Sequence, residues 1–479
     1  MRARLLLIAA ALAAFGASLG SRFHFDDYAI FGDRFLTSST GWLDVWSLRQ
    51  TRPLTYLSFW LNYQLGGTNP AGYHALNLAL HLGAVLLLYE CLRRLVGERA
   101  ALIAAAIFAV HPFQAEAVDY IWGRGIVLAT LLCLAALWCW LGGRHWEAVA
   151  WFLGAVLAKE EVAAFPVALL LLDRRHRGPV LAMIGVAVAA GLRVIYATAV
   201  TPGASAGVQA GISPANYLLA QGPVILRYLR LMIVPYGFTV DADARVPALW
   251  WGLAAWAVVI VLAAAAWHFR GKNAWGLWAV AGLVLLLPSS SIFPAADFSA
   301  DRRMYLPLAA FATAAALLVG RVKWPVGGAV AVLLATVAFT RTQVWMTERS
   351  LWLEAVERAP EKVRPKIQLA RAVPPAEALE LLAQARKLAP NDPEVPTETG
   401  RVLMSEGQPA QALAEFGRAL ALDPRDARNY NNRGVALAGI GQVDAARADF
   451  ERALKLDPSL GEARENLKRL ASSPPSAAR

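Results

Sequence analysis

The sequence predicts an all-α protein with two parts, a polytopic transmembrane helical domain of about eleven spans and a C-terminal α-solenoid. Three observations lead to this prediction. Of the 479 residues, 57% are hydrophobic, with a mean hydropathy of +0.43, which is more apolar side chain than a soluble domain can cover. Apolar segments recur over residues 1–341, and a sequence period runs through the charged, Ala-rich residues 342–471.

The spans are predicted from segment length, because a helix needs about 20 apolar residues to cross a membrane. We place them near residues 5–20, 75–96, 100–118, 126–142, 147–158, 161–173, 179–199, 248–268, 274–292, 304–320 and 324–340. The segments 147–158 and 161–173 are too short for full crossings, so we expect a helical hairpin with Lys159 and Glu160 at its tip. The first segment could be a signal peptide, but we expect an uncleaved span because so many spans follow.

The net charge of +11 is explained by topology rather than by a nucleic-acid partner. With eleven spans, six basic clusters fall on one side of the membrane, which must be cytoplasmic. These clusters are Arg2/Arg4, Arg93/Arg94/Arg99, Arg144, Arg174/Arg175/Arg177, Arg270/Lys272 and Arg321/Lys323. The prediction is therefore a multi-pass protein of a bacterial inner membrane, with a cytoplasmic N-terminus. Segments 21–73, 119–125, 200–247 and 293–303, and everything after residue 341, would face the other side.

Two further features are interpreted structurally. Segment 200–247 contains an apolar stretch, Tyr217 to Val234, which Arg227 and Arg230 interrupt. We expect an amphipathic helix lying on the outer surface, or else a re-entrant segment. The three cysteines lie in apolar runs and their spacing indicates neither a disulfide framework nor a metal site.

The C-terminal period is 34 residues, the length of a tetratricopeptide repeat. Gly400, Gly407, Ala412, Phe416, Ala419 and Pro424 recur as Gly434, Gly441, Ala446, Phe450, Ala453 and Pro458. We predict repeats over about 359–392, 393–426 and 427–460, then a capping helix to residue 471 and a disordered tail, 472–479. Such arrays bind extended peptides or partner proteins in a concave groove, although a spacer or oligomerisation module remains an alternative.

The strongest chemical signal is the acidic pair Asp26-Asp27, immediately outside the first span. Paired carboxylates there could hold a divalent cation such as Mg²⁺ or Mn²⁺, or one could act as a general base. A solvated acidic loop is the alternative. Aromatic neighbours and a position at the membrane surface favour a catalytic role.

A second set of polar residues lies near the same predicted outer face. His111 and Glu116 end the third span, where Pro112 breaks the helix. The cations Arg124, Lys159, Arg302 and Arg303 lie where the positive-inside rule disfavours them. Arginine forks and a lysine suit phosphate, so we predict a phosphate site here. We expect only one of Arg302 and Arg303 to face the site, and the other to pair with Asp301 or a lipid headgroup.

A third group precedes or enters the second span. It comprises Arg52, Asn62-Tyr63, His74, Asn77 and His81. Asn77 and His81 fall on one helix face and could form hydrogen bonds between helices. We count Arg52 and His74 as further site candidates, together with His111.

These segments resemble the polytopic GT-C glycosyltransferases, and most closely the transmembrane O-mannosyltransferases with tetratricopeptide repeats and their bacterial relatives. The resemblance rests on Arg52-Pro53-Leu54, Leu61-Asn62-Tyr63, Gly72-Tyr73-His74, His111-Pro112, Glu116-Ala117-Val118, Gly123-Arg124, Ala158-Lys159-Glu160 and Arg303-Met304-Tyr305-Leu306-Pro307. Each motif is weak alone, but their order along residues 20–310 is fairly specific. The Gly123-Arg124-Gly125 sequence departs from relatives in which an acidic residue follows the arginine.

The resemblance implies transfer of a hexose or mannose from a polyprenyl-phosphate donor to an acceptor hydroxyl, on a protein Ser or Thr, at the non-cytoplasmic face. Asp26 or Asp27 would be the general base, or both would hold a metal. The repeats would recruit the acceptor. Three alternatives remain at this point: a lipid-linked glycan ligase or polymerase, a non-catalytic scaffold presenting the repeats, and a transporter, which the lack of related halves disfavours.

Overall fold

The protein is helical throughout its described parts and divides into two compact units, Met1–Leu351 and Trp352–Arg479. The computed structural model describes residues 1–32, 35–201, 206–271, 274–319 and 324–472. Over these ranges no β-strand forms, and a single isolated bridge joins Ala206 to Ala295. The all-α fold class is confirmed. The predicted Lys272, Arg321 and Lys323 positions and the tail 473–479 lie outside the described residues.

The helices of the first unit follow the apolar segments of the sequence. They are α1 (Arg2–Phe15), α2 (Ala29–Gly32), α3 (Pro53–Gly66), α4 (Pro70–Val96), α5 (Glu98–Val110), α6 (Ala115–Val118), α7 (Arg124–Leu141), α8 (His145–Ala158), α9 (Phe165–Leu172), α10 (Arg177–Val200), α11 (Pro214–Ile233), α12 (Leu249–Phe269), α13 (Trp275–Leu286), α14 (Tyr305–Leu318) and α15 (Trp324–Val344). Helix α16 (Glu348–Arg358) begins four residues after α15 ends. Every predicted span contains a helix, although the unit boundary lies at Leu351 rather than at residue 341.

The count of eleven spans is not confirmed. Six of the described helical segments are long and apolar enough to cross a membrane: Arg2–Gly20, Pro70–Val96, Ile121–Leu141, Arg177–Val200, Leu249–Phe269 and Val326–Val344. A seventh is possible if Glu98–Val110 and Pro112–Val118, which bend by 49° at Pro112, form one broken span. Helices α8 and α9 are short, as predicted, and a 3₁₀ turn over Glu160–Val162 separates them.

Small residues let the helices of the first unit pack closely. Helix α4 packs on α5 and α7, α5 packs on α14, and α13 packs on α14. A Cβ atom at Gly282 of α13 would lie 2.7 Å from the Phe311 ring of α14, so only glycine fits this crossing. This packing brings the ends of α3, α6, α7, α8 and α14 into one region.

Helix α11 corresponds to the apolar stretch predicted in segment 200–247. It is amphipathic, and its buried face includes Tyr217, Tyr228 and Leu231. This face packs on protein, mainly α12, so Arg227 is not exposed to lipid as a lone helix would expose it. Instead, Arg227 Nη1 lies 2.6 Å from Asp301 Oδ1, just before α14.

The second unit consists of helix pairs at the predicted spacing. The helices are α17 (Val363–Ala370), α18 (Pro375–Leu388), α19 (Glu394–Ser405), α20 (Pro409–Leu422), α21 (Ala427–Gly439), α22 (Val443–Leu456) and α23 (Gly461–Ser472). Within a pair, a Cβ atom at Gly400 would lie 2.7 Å from the Phe416 ring, and one at Gly434 would lie 2.6 Å from the Phe450 ring. The recurring glycines are therefore the points of closest approach between paired helices.

Candidate active site

The acidic pair lies on a short 3₁₀ helix, Phe25–Tyr28, that follows the extended residue His24. Asp27 is fully buried, and its carboxylate accepts the His24 N–H at 2.9 Å and the Trp122 N–H at 2.8 Å. Burial raises the pKa of Asp27 to about 8, against the opposing effect of these two hydrogen bonds. Asp27 therefore anchors the acidic loop to the segment that leads into α7.

Asp26 differs from its neighbour because it is only half-buried. Its carboxylate is close enough to the Tyr120 hydroxyl to act on it electrostatically. The preceding residue, Phe25, has φ of 44°, and its N–H donates to Glu348 Oε1 at 3.0 Å. A left-handed conformation in a bulky residue costs on the order of 1–3 kcal/mol and often accompanies a functional site. The protein thus holds Asp26 in a strained and defined loop.

Glu116 and Arg302 form a buried ion pair between α6 and the 3₁₀ helix Asp301–Met304. The Arg302 side chain donates to Glu116 Oε1, and the Arg302 backbone N–H donates to Oε2 at 3.1 Å. A Cβ atom at Gly123 would lie 2.8 Å from the carbonyl oxygens of Glu116 and Ala117. The absence of a side chain at Gly123 therefore lets the start of α7 approach this pair.

The tip between α8 and α9 carries a second group of charges. Arg52, just before α3, makes a two-pronged contact with Glu160, at 2.5 Å to Oε1 and 3.0 Å to Oε2. Lys159 is 3% exposed, and its Nζ lies 3.3 Å from Glu161 Oε1. Burial opposes ionisation of Glu160, but the adjacent Arg52 charge prevails and lowers the pKa of Glu160 to about 2.

The predicted cations Lys159, Arg302 and Arg303 come into one neighbourhood, together with Arg52. Burial lowers the pKa of Lys159 to about 8, and the positive charges of Arg52 and Arg302 contribute, whereas Glu161 opposes them. Glu161 in turn feels the charges of Lys159, Arg303 and Arg302. Residues separated by more than 100 positions in the sequence thus form a positive region of four cations, in which Arg52, Lys159 and Arg302 each pair with a glutamate.

Arg303 and Asp301 have partners different from those expected. Arg303 donates to the backbone carbonyls of Asp297 at 2.8 Å and Phe298 at 3.0 Å. Asp301 pairs with Arg227 rather than with Arg302 or Arg303. Arg302 thus meets Glu116, whereas Arg303 meets backbone carbonyls and the Tyr217 hydroxyl. Of the two expected partners of the second arginine, Asp301 is contradicted, and a lipid headgroup stays a prediction. Sequence reasoning missed Arg227 as a site residue, because its partner lies 74 positions away.

Arg124 is fully buried, and all three of its guanidinium nitrogens donate within the protein. Nε donates to Asn77 at 2.7 Å, Nη2 to the Tyr73 carbonyl at 3.0 Å, and Nη1 to the Ser58 carbonyl at 3.2 Å. Its guanidinium carbon lies 4.6 Å from the centre of the Phe59 ring. In this geometry, Arg124 joins α3, α4 and α7 and has no orientation left for a phosphate.

The predicted histidines are buried in helix contacts. His111 Nδ1 accepts the Phe113 N–H at 3.2 Å, which caps the turn at Pro112, and Nε2 lies 3.3 Å from the Met232 carbonyl. His74 is fully buried in α4, close enough to His24 for their charges to interact. The expected interhelical hydrogen bonds are present: Asn77 donates to the Tyr120 carbonyl, and His81 Nδ1 lies 2.7 Å from the Tyr305 hydroxyl.

The acidic pair fits a divalent cation poorly in this geometry. Both Asp27 oxygens accept backbone N–H groups, so they face donors rather than a cation. Among the described residues, Asp26 and Asp27 are not members of any group of three or more closely spaced metal-ligating side chains. A Mg²⁺ or Mn²⁺ requirement stays a prediction from the sequence, and we derive no chemical step through it.

Comparison with known proteins shows similarity to protein O-mannosyl-transferases. Protein O-mannosyl-transferase F38B6.6 of Caenorhabditis elegans is 26% identical over 410 residues, which cover 76% of this chain and 59% of the relative. Protein O-mannosyl-transferase TMTC4 of Homo sapiens is 33% identical over 205 residues, 33% of this chain and 27% of the relative. Protein O-mannosyl-transferase TMTC1 of Mus musculus is 39% identical over 150 residues, 27% of this chain and 16% of the relative.

The chain is similar in sequence to these protein O-mannosyl-transferases. The resemblance that its motifs indicated is therefore confirmed. A family model described as "Tetratricopeptide repeat" also matches residues 397–461 of this chain, which confirms the repeats. Among solved structures, the first TPR domain of the human RPAP3 protein matches 23% of this chain and 91% of its own, with 22% identity and a TM-score of 0.23. This chain spans less than two thirds of the length of these three mannosyl-transferases.

Proposed function

We propose that the protein is a membrane glycosyltransferase that moves a hexose, mannose first among candidates, from a polyprenyl-phosphate donor to a Ser or Thr hydroxyl of a protein acceptor. The observation that carries the proposal is the meeting of Arg52, Lys159 and Arg302 at the ends of apolar helices. A donor with an anionic phosphate and a long apolar tail matches such a site, because the tail can stay among the helices while the phosphate meets the cations.

The proposed step is a displacement at the anomeric carbon of the donor sugar. The acceptor hydroxyl oxygen forms a bond to this carbon, and the bond from the carbon to the phosphate oxygen breaks. The electron pair of the broken bond leaves with the polyprenyl phosphate, while the hydroxyl proton passes to a carboxylate. Lys159 and Arg302 would stabilise the negative charge that grows on the leaving phosphate.

Asp26 is the proposed base, since Asp27 is buried and accepts two backbone hydrogen bonds. A half-buried carboxylate in a fixed loop can reach a substrate hydroxyl, whereas a fully buried one cannot. Glu116 is a positioning residue in this proposal. Its carboxylate accepts from both the side chain and the backbone of Arg302, which fixes the guanidinium beside Lys159.

The proposed reaction occurs on the non-cytoplasmic face, and the repeats present the protein acceptor. The basic clusters of the sequence support this orientation. The repeats support a protein acceptor because arrays of this kind bind extended peptides. The names of the homologues also support transfer to protein, although they describe those proteins and not this one.

The test is transfer by the purified protein in nanodiscs. Radiolabelled mannosyl-phosphoryl-polyprenol is supplied with periplasmic or secreted proteins as acceptors, and label on Ser or Thr is measured after protein precipitation. We expect transfer by the wild type, and loss of donor binding and transfer in Arg302→Ala. The matched control is Arg245→Ala, because Arg245 is an exposed arginine whose partner is Asp243, outside the site. Equal transfer by both variants would contradict the role assigned to the positive region.

A further inference from the structure

A second cluster of functional side chains lies at the opposite end of α8 from Lys159. It comprises His145, which begins α8, Asp173, which follows α9, and His176, which precedes α10. One ligand atom from each lies within 4.8 Å of the others, and no second group of this kind occurs among the described residues. Since α8 has 14 residues at about 1.5 Å per residue, roughly 20 Å of helix separates this cluster from the candidate active site.

Asp173 is held in place by groups around it. Its Oδ1 atom accepts the Arg175 N–H at 2.9 Å, and its Oδ2 atom accepts the indole N–H of Trp140 at 3.3 Å. His176 Nδ1 lies 3.1 Å from the same Oδ2 atom. Trp140 and Arg175 thus orient the Asp173 carboxylate in the way that outer hydrogen bonds orient the carboxylate ligands of metal sites.

The two imidazoles face each other beside a pocket. Their ring centres are 3.7 Å apart, and the buried Trp140 ring packs edge-on against His145 at 4.6 Å. The pocket on the open side is lined by both histidines and by Glu147. The cluster is therefore closed by an aromatic wall on one side and open to water on the other, which leaves room for a further ligand.

We propose that His145, Asp173 and His176 bind one divalent transition-metal ion, with zinc as the best match. Two imidazoles and one carboxylate, with water in the remaining position, form a common zinc ligand set, whereas Mg²⁺ and Ca²⁺ prefer oxygen ligands alone. Zinc bonds to these atoms are about 2.0–2.2 Å long, so a modest side-chain rotation must bring the three ligand atoms together. Both histidines are partly exposed and free to make that rotation.

Two of the arginines beside the cluster pair with carboxylates, one of them with the proposed ligand Asp173 itself. Arg144 Nη1 lies 2.9 Å from Glu147 Oε2, and Arg175 Nε lies 3.3 Å from Asp173 Oδ1. Metal binding would tie the loop between α7 and α8 to the loop between α9 and α10. It would therefore fix α8 and α9, whose other ends flank Lys159, Glu160 and Glu161. The metal would not take part in sugar transfer.

The experiment is zinc binding by the full-length protein, purified with an affinity tag that contains no histidine and stripped with EDTA. Titration calorimetry should give one zinc per chain, and Co²⁺ should give the visible absorption of a tetrahedral site. We expect His145→Ala and His176→Ala to abolish both signals. Trp140→Phe keeps the ring but loses the N–H donor to Asp173, and should weaken zinc binding by about 10–100-fold.

The matched control is His268→Ala, which removes an exposed histidine near the end of α12 and outside the cluster. It should bind zinc as the wild type does. Thermal unfolding provides a second measurement: zinc should raise the unfolding temperature of the wild type and of His268→Ala, but not of His176→Ala. The proposal would be overturned if the wild type bound no zinc, or if His145→Ala and His176→Ala bound zinc as tightly as the wild type does. Equal affinity of the wild type for Mg²⁺ and Zn²⁺ would also overturn it.

Discussion

Arg124 and Arg302 have the same appearance in the sequence, since each is a cation beside a predicted outer membrane surface. The protein uses them differently. The Arg124 side chain is fully buried and its three nitrogens bind Asn77, Tyr73 and Ser58, whereas the Arg302 side chain is 22% exposed and shares one carboxylate. Sequence position could identify both as misplaced cations, but the partners of Arg124 lie 47 to 66 residues away and no local pattern indicates them.

Asp26 is the residue on which the proposed chemistry depends most directly. If it accepts the hydroxyl proton, Asp26→Asn should lower turnover by about 10²-fold or more, because general-base catalysis contributes at least that factor. Membrane insertion and donor binding should be unchanged. Asp44→Asn is the matched control, since Asp44 is an exposed carboxylate in the same outer segment. Turnover of Asp26→Asn within a few-fold of the Asp44→Asn value would remove Asp26 from the mechanism.

Asp27 should act on stability rather than on chemistry. An asparagine can accept only one of its two backbone hydrogen bonds, so Asp27→Asn should cost about 1–3 kcal/mol near pH 5. Because burial raises the pKa of Asp27 to about 8, the folded state keeps a proton that the unfolded chain releases at lower pH. Wild-type stability should therefore decline as pH rises toward 8, and the variant should lack this contribution. Unfolding temperatures measured in detergent from pH 5 to 8.5 test this, and identical pH slopes would contradict it.

Lys159 should give the reaction a pH limit. Burial lowers the pKa of Lys159 to about 8, so its charge, and with it the attraction for phosphate, is lost as pH rises through that value. We expect kcat/KM for the donor to fall above about pH 8 in the wild type. Arginine stays protonated beyond pH 12, so Lys159→Arg should move the fall to higher pH. This variant separates Lys159 from Asp27, which titrates in the same range; an unchanged profile would exclude Lys159 as the titrating group.

At the scale of elements, the helices were predictable and their contacts were not. Each predicted apolar segment contains a helix, because length and hydrophobicity are local properties of the chain. Helix α3, which positions Arg52, was not predicted, since its mixed sequence lacks a continuous apolar run. The packing of α11 on α12 was also missed, because an amphipathic helix can bury the same face against lipid or against protein.

The Gly123→Ala variant tests whether the close approach of α7 to α6 is needed to keep Glu116 paired with Arg302. A Cβ atom there would meet the Glu116 and Ala117 carbonyls at 2.8 Å, whereas one at Gly125 would meet nothing closer than 3.4 Å. Gly123 has φ of −64°, so alanine suffers no backbone strain and only the steric clash remains. Gly123→Ala should lose about 1–3 kcal/mol of stability and most donor binding, because it displaces Glu116 from Arg302. Gly125→Ala is the control, and equal behaviour of the two variants would contradict this reading.

At the scale of the whole molecule, the sequence predicted two units, one embedded in the membrane and one surrounded by water. Composition separates them, since the first is apolar and the second is charged and periodic. The positive-inside rule adds an orientation, because basic loops stay on the cytoplasmic side of the membrane. The side of the membrane on which the repeats lie is therefore tested by labelling introduced cysteines.

The predicted topology places the repeats outside the cytoplasm. A cysteine introduced at Ser459, in a variant without native cysteines, should react with a membrane-impermeant maleimide in intact spheroplasts. The three native cysteines are buried, so alanine is the suitable replacement because it adds no polar group to the core, and membrane insertion of the cysteine-free variant is checked first. A cysteine at Arg93, in the last turn of α4, serves as the cytoplasmic control and should react only after permeabilisation. The reverse pattern would invert the assigned orientation.

The paired Gly400–Phe416 and Gly434–Phe450 contacts have a consequence for how this family of arrays changes during evolution. Because each contact lies within one repeat, a duplication or deletion of 34 residues, the interval from Gly400 to Gly434, leaves every such contact intact. An insertion or deletion between Gly400 and Phe416 would instead change which residue faces the phenylalanine ring. The repeat region can therefore grow or shrink in whole units of 34 residues without disturbing the helix packing inside the units that remain.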